Sequence, residues 1–112
     1  MYIEERPWGK FSTLHEGTSY KVKCIEINPN SSISLQYHNS RFEDWIIVEG
    51  DGIICDGDET RNCIVGDRFH IAPRKVHRAT AGKNGLKFIE VQRGICDEND
   101  IVRIQDSYGR VA

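Results

Sequence analysis

The stretch ISLQYHNSRFEDWIIVEG, residues 33–50, decides the fold. Two runs of apolar and β-branched residues flank the short polar break at 39–42, and neither run is long enough or suitably periodic for a helix. Side chains of a strand alternate between its faces. Ile33, Leu35 and Tyr37 therefore fall on one side, and Ser34, Gln36 and His38 on the other. The second run, from Glu43 to Glu49, ends at Gly50, a residue suited to a turn.

The same rhythm holds outward along the chain. Strands are predicted over 10–14, 20–27, 33–38, 43–49, 52–55, 61–65, 68–71, 76–80, 86–93 and 101–105. Turn residues punctuate them: NPNS at 28–31, EGDG at 49–52, DGDE at 56–59 and GKNG at 82–85, with Asp56-Gly57 the sharpest hairpin signal. Gly66-Asp67 marks a further turn, and Pro73 closes the strand ending at Ile71. Only CDENDI, 96–101, reads as a short helix or tight loop. Many short strands at this spacing specify an all-β sandwich or barrel.

With 112 residues the chain has material for one core and not for two. Its 15 basic and 17 acidic side chains are interspersed, so nothing attracts it broadly to a phosphate backbone, and no nucleic-acid partner is expected. No membrane partner is expected either, because no apolar run approaches a spanning length. The opening MYIEERPWGK is acidic and polar where a signal peptide carries basic and then apolar residues, so a cytoplasmic setting is expected. Cys24, Cys55, Cys63 and Cys96 form no CxxC or CxxxC pair and read as free, mostly buried thiols. Edge strands in so short a chain need cover, which makes a homodimer the expected state.

Chemistry enters through spacing. Gln36 and His38 point the same way, roughly 6–7 Å apart along the strand, and Glu43 begins the next strand across the break. His77 follows a proline-bounded turn that can deliver it from a neighbouring strand. An amide oxygen, two imidazole nitrogens and a carboxylate suit zinc, manganese, iron or nickel better than calcium or magnesium. Taken singly, a His or Gln on a strand is usually a satisfied core or rim side chain; it is the joint spacing that points to a metal. His15 and His70 show no ligand-like spacing.

The run Gln36-x-His38, Glu43, Gly50 resembles the first cupin motif, and Gly66 through Pro73 to His77 resembles the second. More closely, the chain resembles the cupin domain of type II mannose-6-phosphate isomerases, the C-terminal part of enzymes that also carry a mannose-1-phosphate guanylyltransferase. The matching stretches are RPWGKF (6–11), YKVK (20–23), SLQYH (34–38), EDWIIVEG (43–50), HR (77–78), IEVQRG (89–94) and DENDIVRIQDSYGR (97–110). The resemblance implies a small double-stranded β-helix, the jelly-roll-like cupin barrel. It would be a single domain over 1–112, with 1–14 as an N-terminal arm and 95–112 as a tail closing on the barrel. It also implies a divalent metal held by Gln36, His38, Glu43 and His77, zinc foremost, with manganese, iron, nickel or cobalt as alternatives. The small-molecule partner would be a sugar phosphate, and the reaction the interconversion of mannose 6-phosphate and fructose 6-phosphate.

By the same resemblance Lys23, Arg41 and Arg110 stand where the family presents basic residues, and they are the candidate phosphate ligands. Lys21 and Lys23 share a strand face with Ile25 and Ile27, whose burial would draw them inward. A lysine so placed needs an anion, and a salt bridge to Glu90 is the plain alternative to phosphate. Isomerisation of an aldose also needs a base near the carbon-bound proton. Glu90, on a face with Gln92, is the first candidate and Asp44 the second, although Asp44 adjoins Glu43 and reaches the same face only through a bulge. Arg110 is a further candidate catalytic group if Tyr108 anchors the tail over the barrel mouth. Trp45 is expected in the core or at a dimer contact, and Trp8 as an anchor of the arm. The family carries three further histidines where this chain has Asn39, Ser40 and Asp44. That departure leaves open a non-catalytic sugar-phosphate-binding or accessory domain in polysaccharide or nucleotide-sugar synthesis, and also a nucleotide-sugar epimerase.

Overall fold

The computed structural model describes residues 2–105. Arg110 and Tyr108, and with them the closing role of the tail, lie outside the described residues. Nine strands follow in order: β1 (Tyr2–Arg6), β2 (Gly9–Glu16), β3 (Tyr20–Ile27), β4 (Leu35–Tyr37), β5 (Arg41–Asp56), β6 (Glu59–Cys63), β7 (Arg68–Ile71), β8 (His77–Gly94) and β9 (Val102–Gln105). All pairings between them are antiparallel. The hydrogen-bonded order runs β1-β2-β3-β8-β4-β9, while β5 pairs with β6, β7 and β8. The sheet curls on itself as the expected double-stranded β-helix. Among the described residues no helix is long and apolar enough to cross a membrane.

The curl is the main departure from the strand pattern read above. Hairpins were expected at 49–52 and 82–85, but β5 and β8 run through both segments, paired from Arg41↔Gly94 to Asp56↔His77 with register shifts between Ile47/Glu49 and Gly50/Gly52. Each expected turn is instead a bend that carries one long strand from one side of the barrel to the other. Gly50 has φ +80°, and a Cβ there would sit 2.1 Å from the carbonyl oxygen of Gly85. The glycine thus permits a close backbone crossing rather than a chain reversal. The hairpin at 56–59 does form, one residue on, with Gly57 and Asp58 between the paired Asp56 and Glu59.

Two further details differ. The arm contains β1, which folds back on β2 through Pro7-Trp8 with Arg6 opposite Gly9; its polar sequence YIEER gave little β signal. Ile64 and Val65, expected to end a strand, sit exposed in the turn after β6, where Asp67 accepts the backbone N–H of Ile64.

Inward-facing residues of both halves form one core. Trp45 stacks on Phe88 at 4.4 Å between ring centroids, and Phe11, Ile25, Ile47, Ile54, Phe69, Ile71 and Leu86 are buried around them. Each such side chain contributes about 1.5–3 kcal/mol by leaving water. The core fills one part of the barrel; polar side chains line the rest.

Candidate metal centre and cavity

β5, β8 and the residue that follows β4 bring three of the four expected ligands, His38, Glu43 and His77, together, with Gln36 of β4 beside them. Gln36 of β4 lies directly opposite His77 of β8, and Glu43 of β5 faces inward between them. Ligand atoms of His38, Glu43 and His77, all buried, lie within 4.8 Å of one another. Glu43 Oε2 is 3.2 Å from His38 Nε2, and Glu43 Oε1 is 3.9 Å from His77 Nε2. Gln36 lines the same cavity, its Oε1 accepting from Ser34 Oγ at 2.8 Å.

Outer contacts set the tautomers. His38 Nδ1 meets the Asp100 carbonyl at 2.6 Å, and His77 Nδ1 meets that of Lys75 at 2.9 Å. A carbonyl only accepts, so each Nδ1 carries the proton and each Nε2 turns its lone pair toward Glu43. The buried Nε2 of His77 has no hydrogen-bond partner among the described residues. Burial holds both imidazoles neutral: His38 is pushed down to about 4 by desolvation, with the charge of Arg41 and neighbouring His77 adding to it. His77 is lowered too, chiefly by desolvation. Neutral imidazoles braced at Nδ1 beside a carboxylate are the donor set a divalent transition ion requires. The residues fit the metal.

Arg41 is the cation already at this point. Its Nε donates to Glu43 Oε2 at 2.9 Å, its Nη2 lies 3.2 Å from His38 Nε2, and its Nη1 donates to the Asp97 carbonyl at 3.2 Å. The family resemblance made Arg41 a candidate phosphate ligand; here its guanidinium spans His38 and Glu43.

Glu90 and Gln92 of β8 do share the inner face, as expected. Trp45 Nε1 donates to both Glu43 Oε1 and Glu90 Oε1 at 3.1 Å, and Gln92 Nε2 donates to Glu90 Oε2 at 3.0 Å. Desolvation, reinforced by the charge of Glu43, pushes the Glu90 carboxyl up to about 8. Burial beside Glu43 thus favours its protonated form. Asp44 is a different matter. No bulge interrupts Glu43 to Ile47, so Asp44 points outward, where it meets His70 Nδ1 at 2.6 Å and Arg93 Nη2 at 3.3 Å. The structure removes it from the candidate bases, because neighbouring strand positions face opposite ways.

Lys23 points inward and is buried, its ammonium 4.1 Å from the centroid of Phe11. Its backbone pairs with Glu90, yet its ion pair is with Glu98 of the 95–101 segment, which also lies 3.6 Å from Lys21. Sequence reasoning missed Glu98. The two residues are 75 positions apart, and only the need of a buried lysine for an anion hinted at an acid. The same segment delivers Asp100, whose carboxylate accepts the backbone N–H groups of Asn39 and Ser40 at 2.8 and 2.9 Å. Gln36, His38, Arg41, Glu43, Glu90, Gln92, Lys23 and Glu98 together line one cavity of about 90 Å³. Of the four cysteines, all free, only Cys63 is fully buried.

Known proteins share this architecture. Among solved structures, KdgF from Halomonas sp. superposes with a TM-score of 0.78 at 14% identity, covering 88% of this chain and 93% of that one. The capsular polysaccharide assembling protein CapF from Staphylococcus aureus gives 0.79 at 17%, over 93% of this chain and 32% of that one. At such identities the likeness is one of fold. Sequence relatives are nearer. The xanthan biosynthesis protein XanB of Xanthomonas campestris pv. campestris is 39% identical over 94% of this chain, and the alginate biosynthesis protein AlgA of Pseudomonas aeruginosa 39% over 96%. The mannose-1-phosphate guanylyltransferase RfbM of Salmonella typhimurium is 33% identical over 93%. This chain spans 23% of the length of the first two and 22% of the third. The family model described as mannose-6-phosphate isomerase C-terminal matches residues 3–106, and the chain belongs to that family.

Proposed function

We propose that the chain is a metal-dependent sugar-phosphate isomerase that interconverts mannose 6-phosphate and fructose 6-phosphate. One observation carries the reading: two neutral imidazoles with inward Nε2 lone pairs converge on one carboxylate, and His38 and that carboxylate line a single cavity with a buried lysine. Gln36, His38, Glu43 and His77 would hold the ion, zinc foremost. When bound, the ion supplies Lewis-acid stabilisation for the charge that develops on the sugar oxygens during isomerisation.

This chain's own residues do the rest. Glu90, held by Trp45 and Gln92, exchanges a proton with the substrate carbon; its raised affinity for protons suits a group that must both give and take one near neutrality. Lys23 binds the phosphate, and Arg41 is the second candidate for that role. Arg110, outside the described residues, is a further candidate phosphate ligand. A cavity of about 90 Å³ is well below the ~300 Å³ at which small-molecule pockets begin. The 95–101 segment, tied down by Lys23–Glu98 and by Arg41 to the Asp97 carbonyl, must therefore give way for a hexose phosphate to enter. Four unpaired cysteines support a reducing, cytoplasmic setting, and the working unit is a homodimer.

The purified chain, loaded in turn with zinc, manganese, cobalt or nickel, should convert mannose 6-phosphate to fructose 6-phosphate, and His77→Ala should lose that conversion. No turnover with any of the four ions sinks the proposal. A second reading, a sugar-phosphate-binding domain without turnover, is favoured by Asn39, Ser40 and the outward Asp44 standing where the family has histidines. Saturable binding of mannose 6-phosphate with a flat product assay would select it.

A further inference from the structure

One buried polar atom on the inner face of β8 has no use in the chemistry assigned above. Gln92 is 0% exposed and lines the cavity. Its Nε2 donates to Glu90 Oε2 at 3.0 Å, but its Oε1 has no hydrogen-bond partner among the described residues. Buried polar groups are ordinarily paired, and one left unpaired carries the full cost of leaving water. Its neighbours have their partners: Trp45 Nε1 donates to Glu43 and Glu90, Arg41 Nε donates to Glu43, and His38 Nδ1 donates to the Asp100 carbonyl. A bound ion accounts for the bare Nε2 of His77. It does not account for Gln92, whose amide is turned to Glu90 by its own hydrogen bond. An amide oxygen only accepts, so the missing partner is a donor. Phosphate oxygens are acceptors and do not qualify, whereas a sugar hydroxyl does.

We infer that Gln92 Oε1 accepts a hydrogen bond from the C3 hydroxyl of the sugar phosphate, which makes Gln92 a specificity-determining residue. The inference rests on the isomerase reading above. Cross-strand register gives the placement. On β8, Gln92 stands opposite Lys21 of β3 and Glu43 of β5, and Glu90 stands opposite Lys23 and Trp45 of the same two strands. The inner face of β8 thus lies between the strand that carries the candidate phosphate ligand and the strand that carries the carboxylate metal ligand. A hexose phosphate with its C1 and C2 oxygens toward the ion and its phosphate toward Lys23 lays its middle carbons along β8. Glu90 serves the proton that moves between C1 and C2. The oxygen of the amide bonded to Glu90 is one bond angle from that hydrogen bond, beside the next carbon along. Since the oxygens of C1 and C2 go to the ion, the first hydroxyl left to reach Gln92 is that of C3. One amide therefore does two things: its NH2 group fixes Glu90, and its oxygen reads the sugar. A site built to bond a hydroxyl rejects the analogue that lacks it, because the acceptor is then left unpaired in the complex.

Titration calorimetry of mannose 6-phosphate and of its 3-deoxy analogue into the metal-free chain, where no turnover competes, tests it. The ratio of kcat/KM for the two compounds on the zinc-loaded chain is read alongside. Wild type should bind the 3-deoxy compound at least about tenfold more weakly. Gln92→Met keeps the length of the side chain and removes both amide groups, so it should bind the two compounds within about twofold of each other. A merely structural role for Gln92 lowers both affinities and leaves their ratio as in wild type. Equal affinities in wild type overturn the inference, as does a Gln92→Met chain that discriminates as wild type does. If Gln92→Met does not fold, Gln92→Asn, which draws the oxygen back by one methylene, takes its place with the same expected loss of discrimination. A wild-type chain that neither binds nor turns over mannose 6-phosphate removes the isomerase reading and this inference with it. Binding or turnover without discrimination removes this inference alone.

Discussion

Replacing Glu98 with Gln removes the anion from Lys23 while keeping the side chain's shape. The Lys23 side chain is 4% exposed and that of Glu98 42%. A hydrogen bond between charged groups contributes about 1.5–3 kcal/mol, and the exposure of Glu98 favours the lower part of that range. Leaving a buried ammonium unpaired works in the opposite direction. The net loss is about 2 kcal/mol, or a fall in Tm of roughly 8–12 °C for a domain of this size. If Lys23 is the phosphate ligand, inorganic phosphate should restore part of the loss. At ten times its Kd, binding returns about 1.4 kcal/mol. Thermal melts at constant ionic strength, with chloride exchanged for phosphate, should therefore raise the Tm of Glu98→Gln more than that of wild type, and leave Lys23→Met unmoved. Partial burial alone would raise the Glu98 carboxyl, but the hydrogen bond and charge of Lys23 outweigh it and hold it low. Its contribution is present above the ordinary value of 4.5 and is lost as acid protonates it, so the gap between wild type and variant should close at low pH. An unchanged Tm in Glu98→Gln, or an equal phosphate response in both proteins, refutes the reasoning.

Other outcomes follow from the same geometry. Glu90 is raised above its unfolded value, so its protonated form stabilises the metal-free chain at low pH, and that stability is lost as pH rises from the ordinary value of 4.5 through about 8; urea unfolding should show a contribution declining by about 1.4 kcal/mol per pH unit between roughly 5.5 and 7 and levelling off above 8, absent in Glu90→Gln. His77→Ala should weaken zinc binding by more than the ~10–100-fold typical of outer contacts, read by competition with a chromogenic chelator. Asp44→Asn should leave sugar-phosphate turnover within about twofold of wild type, since its carboxylate lies outside the barrel; a hundredfold loss would return it to the site. Gly50→Ala should destabilise by at least about 2 kcal/mol in denaturant, because φ +80° and the Gly85 carbonyl both exclude a Cβ.

Period-two alternation was enough to specify strands and to put Gln36 with His38, and Glu90 with Gln92, on shared faces, because the backbone fixes side-chain direction locally. It also separated Asp44 from Glu43. Motif spacing joined Glu43 and His77 to the set. What the sequence could not decide was where a strand bends and where it reverses. The glycines at 49–52 and 82–85 carry the same local signal for both, and the choice rests on β5 and β8 pairing across a whole barrel. Nor could it show that Lys23 is neutralised by Glu98, that Arg41 spans His38 and Glu43, or that Asp100 and Lys75 carbonyls orient the imidazoles. Those partners are distant in the chain or lie in its irregular backbone, so no periodicity records them. Only the closing of the barrel brings their charges together, and with them the acid-base character of the site.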